Sequence, residues 1–144
     1  MKPFTQAVRI GLFTLSAALS AHASAYALDS QLDCKSTAHA FIAPLQENHA
    51  IEATPMRVEP NSINAFKPSR GSQLTAFDFG VFAVVGYQKD DAIFKQGNGA
   101  PIADSAYGAV VIGGEKSVTE KVRAAGSGAV IHRVAPFITA IFCG

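Results

Sequence analysis

The chain predicts an α+β fold: one small domain with an antiparallel or mixed β-sheet and about two helices packed on one face. Three observations carry this. Alternating apolar stretches fill much of the second half, and two segments show the i, i+3, i+4 spacing of a helix with one buried face. The composition, 49% hydrophobic and 16% charged, supplies enough apolar side chains to form a core and excludes a disordered tail.

The first element is an address. Lys2 and Arg9 give a positive start, Ile10 to Leu19 form an apolar run, and the small residues of 20–27 offer a peptidase site. Cuts after Ala23, Ala25 or Ala27 all fit. The polar, acidic stretch opening Leu28-Asp29-Ser30 favours Ala27, so residues 1–27 read as a cleaved signal peptide and residues 28–144 as a single domain. The apolar run rises only about 15 Å as a helix, half of a hydrocarbon core, so no membrane span is expected after cleavage. Cys34 lies too far from the cut to carry a lipid anchor.

Residues 36–47 place Ala38, Phe41, Ile42 and Leu45 on one helical face, with Ser36 or Thr37 as N-cap. Pro44 is expected to kink or stop this helix near Ala43. Residues 51–59 and 62–66 read as edge strands around a Pro60-Asn61 turn. Residues 73–88 form the strongest strand signal, with Phe77, Phe79, Val81, Ala83, Val85 and Tyr87 on one parity, and Gly80 and Gly86 are expected to mark a bulge or bend. Residues 106–112 make another buried strand. Gly113-Gly114 then leads to a helix with Ser117 and Glu120 as a capping box, Gly126 past its end, and Val118, Val122 and Ala125 as its apolar stripe. Two strands follow, 130–134 and 137–142, so that 106–134 has the pattern of a split β-α-β unit.

Charge narrows the possible partners. Without Lys2 and Arg9, ten basic residues face 11 acidic ones, singly scattered, and the absence of a basic stripe speaks against nucleic acid. Two cysteines in an exported chain pair most simply with each other. A Cys34–Cys143 bridge closes a loop of 109 residues, which chain entropy values at about 4–5 kcal/mol as an upper figure.

Chemistry-bearing motifs are sparse. His39, His49 and His132 lack the spacing of a zinc site, so neither a metal nor a cofactor is expected. Gly126-Ser127-Gly128 follows a helix and reads as a turn, not a nucleophile elbow. The polar connection 88–105 contains Asp90, Asp91, Asn98 and Asp104, the candidate binding residues, while Phe94 and Ile102 are expected to anchor it to the sheet.

These features favour a non-catalytic exported module, periplasmic or secreted, binding a protein, a peptide or a small apolar ligand. Two alternatives stand beside it. An inhibitor of an envelope hydrolase would insert a loop such as Gly97 to Pro101. A small hydrolase would assemble one of the histidines with a carboxylate and a hydroxyl in a pocket.

Overall fold

The computed structural model describes residues 25–144, together with Gly11, Thr14 and Ser16. The rest of the expected leader lies outside the described residues. A mixed eight-stranded sheet carries two helices on one face. The strands are β1 (Ala25–Ala27), β2 (Arg57–Val58), β3 (Asn64–Phe66), β4 (Gln73–Ala76), β5 (Phe79–Gln88), β6 (Ser105–Ile112), β7 (Val130–Ala135) and β8 (Ile138–Cys143); the helices are α1 (Ala38–Glu47) and α2 (Glu115–Ala124). Strand order is β1-β4-β5-β6-β8-β7, with β3 also pairing β5 and β2 pairing β3.

The β6-α2-β7 unit is a split β-α-β. Both strands run antiparallel to β8, which is inserted between them, so β6 and β7 are parallel to one another. Among the described residues, only β1 makes a parallel ladder, with β4.

Thr37 caps α1 by accepting from the Ala40 amide at 3.2 Å. Phe41, Ile42 and Leu45 are buried against the sheet, each worth about 1.5–3 kcal/mol of apolar burial. The helix runs through Pro44 to Glu47 instead of ending near Ala43. Pro44 and Ala40 are both exposed, so water can serve the Ala40 carbonyl that proline cannot reach, while Leu45 keeps the next turn docked.

Four further expectations are corrected. The 73–88 segment is a hairpin, because Phe77 and Asp78 have φ of 49° and 69° and turn the chain back, the signs of a type I′ turn. Tertiary contacts hold that turn: Phe77 is buried and its amide donates to Asp29 Oδ1 at 2.8 Å. The bulge in β5 falls between Val81 and Ala83, not at a glycine. In α2 the N-cap is Gly114, without a side-chain bond, and Ser117 sits inside the first turn. Gly113 fixes that start, since its amide donates to the Phe137 carbonyl at 2.7 Å. The fourth is the α2 stripe, which is Val118 and Val122 alone; Ala125 is exposed. Gly126 ends the helix at φ 79°, a conformation in which a β-carbon would be strained.

Cys34 and Cys143 are disulfide-bonded, joining the segment before α1 to the end of β8. Among the described residues, no helix is long and apolar enough to cross a membrane.

Candidate functional site

Both helices cover the same side of the sheet, where Tyr107, Ala109, Val111 and Ile141 point into the core. The opposite side is uncovered. Register places Ala83, Val110, Ala140 and His132 in one row across β5, β6, β8 and β7, and Arg57, Ala65, Val85, Gly108, Phe142 and Val130 in the next row across six strands. Five strand spacings make the longer row about 24 Å wide.

This face is hollow where the small residues of its rows fall. Ala65, Ala83 and Ala140 form the floor, and Gly108 adds no side chain to raise it. Around them stand larger groups, among them Met56, Phe82, Ile102 and Val134, enclosing an open trough of about 1000 Å³. Phe82 is 53% exposed and Ile102 50%, so these apolar walls face water. The bulge in β5 turns Phe82 outward. Arg57 pairs with Glu59 at 2.6 Å on one side, and His132 stands on the opposite wall.

The residues picked from the sequence lie elsewhere. Asp90 is exposed at φ 57°, Asn98 is exposed, and the Asp104 carbonyl accepts from the Lys89 amide at 2.8 Å. Asp91 bonds His39 Nδ1 at 2.6 Å through one oxygen and accepts from the Ile93 amide through the other, fastening the loop to α1. Among the described residues, none of these four lines the trough, and no three His, Cys, Asp or Glu gather where a metal could bind.

Segment 88–105 is pinned rather than free. Buried Asn64 donates to the Lys95 carbonyl at 2.8 Å and accepts from the Lys95 amide at 2.9 Å, while Ser62 Oγ accepts from Gly97. Gly97 lies so close to the Glu59 carbonyl that a β-carbon would sit 2.1 Å from it. The Gly97–Pro101 stretch packs on the Pro60 turn through Gly97 and through the Gly99 amide, which donates to the Pro60 carbonyl at 2.8 Å. Phe94 anchors the segment as expected, edge-on to Phe66 and Tyr87. Ile102 does not; it forms part of the trough wall.

The histidines are dispersed. Among the described residues, His39 has a carboxylate but no hydroxyl within hydrogen-bond distance, and the side chains of His49 and His132 have neither. Ser127 is structural: its hydroxyl donates to the Leu32 carbonyl and accepts from the Ala129 amide.

The fold and this face define a disulfide-closed, single-domain α+β protein with a one-sided sheet and an apolar trough on its bare side. Comparison with protein-family models, curated proteins and solved structures gave no match.

Proposed function

We propose that this is an exported, non-catalytic binding protein whose bare sheet face takes up a small apolar or amphiphilic ligand. One observation carries the reading: a water-exposed trough of about 1000 Å³ with small apolar residues on its floor. Its size lies at the upper end of small-ligand sites, and an uncovered apolar surface of this kind marks a place where something binds. The aliphatic and aromatic lining suits an acyl or similar chain, and rim groups such as Arg57, Asn61 and His132 suit a polar end. A second copy packed face to face fits poorly, because two concave surfaces do not interdigitate.

Export is supported by the leader-like residues and by the disulfide, which suits an oxidising space, periplasmic or extracellular. Of the three peptidase cuts, the one after Ala23 keeps all of β1. A cut after Ala27 would put the new ammonium group on Leu28, which is fully buried with its nitrogen bonded to Thr75. Burying that charge is costly, so we favour the cut after Ala23.

Titrating the purified domain with a dansyl-labelled undecanoic acid tests the reading. Saturable binding with a blue-shifted emission is expected, and a linear, non-saturating response would overturn it.

A further inference from the structure

The β7–β8 turn consists of Pro136 and Phe137. Proline holds φ near −65°, and Phe137 follows at φ 59°. A turn of this kind places glycine at its second position, because a bulky side chain there is strained. Burial does not compensate: Phe137 is 75% exposed, more than any other large apolar residue described. Strain at an exposed aromatic indicates a role outside the fold.

The tip is rigidly held. The Phe137 carbonyl accepts from Gly113, and Thr139 Oγ1 donates to the Gly113 carbonyl at 2.8 Å. It also adjoins the trough. Ile138, next in the chain, lines the trough and pairs with Ile112, itself 57% exposed, while Val134 on the other arm lines it too. Arg133 and Glu115 border the hollow at the base of the tip, and Arg133 has no carboxylate within ion-pair distance among the described residues.

We infer that the Pro136–Phe137 tip docks on a lipid bilayer, inserting Phe137 at the headgroup level so that the adjoining end of the trough receives its apolar ligand from the membrane. This rests on the trough being a ligand site. A narrow convex tip with one ring and a nearby cation suits a deformable interface with anionic headgroups. A specific protein partner would need a far larger complementary area than two turn residues offer.

The test compares the wild-type domain with Phe137→Asn and Phe137→Gly, both of which tolerate positive φ. Three readouts are taken: thermal melting, binding of the dansyl fatty acid in solution, and co-sedimentation with vesicles of phosphatidylethanolamine and phosphatidylglycerol. Both variants are expected to melt no lower than wild type and to bind the dispersed probe equally. Their vesicle partitioning should fall by about tenfold or more, the loss of one buried phenyl ring. Vesicles without phosphatidylglycerol should bind wild type more weakly, because they lack the net anionic surface that attracts Arg133. Equal vesicle binding by wild type and variants overturns the proposal. So does wild-type self-association that the variants abolish without any vesicle binding, which would make the tip a contact between copies. Failure of the dispersed probe to bind wild type strikes the trough reading instead, and vesicle co-sedimentation still reads the tip by itself.

Discussion

Tyr107 on β6 stands directly across the ladder from Cys143 on β8, and both reach the same short segment before α1. Cys143 is bonded to Cys34, while the Tyr107 hydroxyl donates to the Gln31 carbonyl at 3.0 Å and accepts from the Ser36 amide at 3.2 Å. One covalent and two polar ties thus hold residues 31–36 against the sheet, and the Tyr107 ring stacks obliquely on Phe41 of α1. The start of α1 is set by this clasp.

Tyr107→Phe should cost about 1–3 kcal/mol, since it leaves the Gln31 carbonyl and Ser36 amide without their partner. Burial pushes the Tyr107 hydroxyl above the ordinary tyrosine pKa, opposed in part by the Ser36 amide. The folded state therefore holds this proton more tightly than the unfolded chain. Its contribution is fully present below about pH 10 and is lost as pH rises through the higher folded value. Urea unfolding of both proteins should show their stability gap narrowing in strong alkali.

Replacing Cys34 and Cys143 together by serine should destabilise the domain by about 2–5 kcal/mol, because the bridge closes a loop of 109 residues in the unfolded chain. Denaturant midpoints of the oxidised, reduced and double-serine forms check this. The last two should coincide.

Asn64→Ala should free segment 88–105. Asn64 is fully buried and is the hydrogen-bond partner of both the amide and the carbonyl of Lys95, so truncation orphans two backbone groups at about 1–3 kcal/mol each. Amide exchange at Lys95 and Gly97 should speed up, and proteases should cut the segment while the rest of the sheet stays protected.

Ala140→Phe fills the trough from its floor. The residue is half-buried on the bare face, between Val110 and His132, so the ring projects into open space and not into the core. Binding of the dansyl fatty acid should weaken at least about tenfold, with a change in stability within about 0.5 kcal/mol. An unchanged titration would show that the probe sits elsewhere.

If the leader is removed as proposed, the intact mass of the mature protein should match a chain beginning at Ser24. A chain beginning at Leu28 would lack β1 and the Tyr26 hydroxyl that accepts from Gln31 Nε2 at 3.2 Å.

Features that depend on local spacing are legible in the order of residues. The buried face of α1, the Gly126 stop and the pairing of the two cysteines follow from helical period, backbone sterics and counting. The hairpin at Phe77-Asp78 is not legible in this way, because Phe77 is not a usual turn former and the turn is held by a bond to Asp29, far away in the chain. Phe82 and Ile102 are hidden for a related reason: an apolar residue on a strand or loop looks the same whether it is covered or faces water. The small residues Ala65, Ala83, Gly108 and Ala140 come from separate strands, and only register brings them side by side.

The amino-acid sequence by itself determined an α+β domain, the buried face of α1 and the pairing of Cys34 with Cys143, since these depend on short-range periodicity and on each sulfur having a single partner within the chain. Tertiary structure alone decided which face of the sheet the helices leave bare. Both faces are apolar, and whether such a surface becomes core or binding site depends on where the helices settle, a choice made by packing across the whole chain.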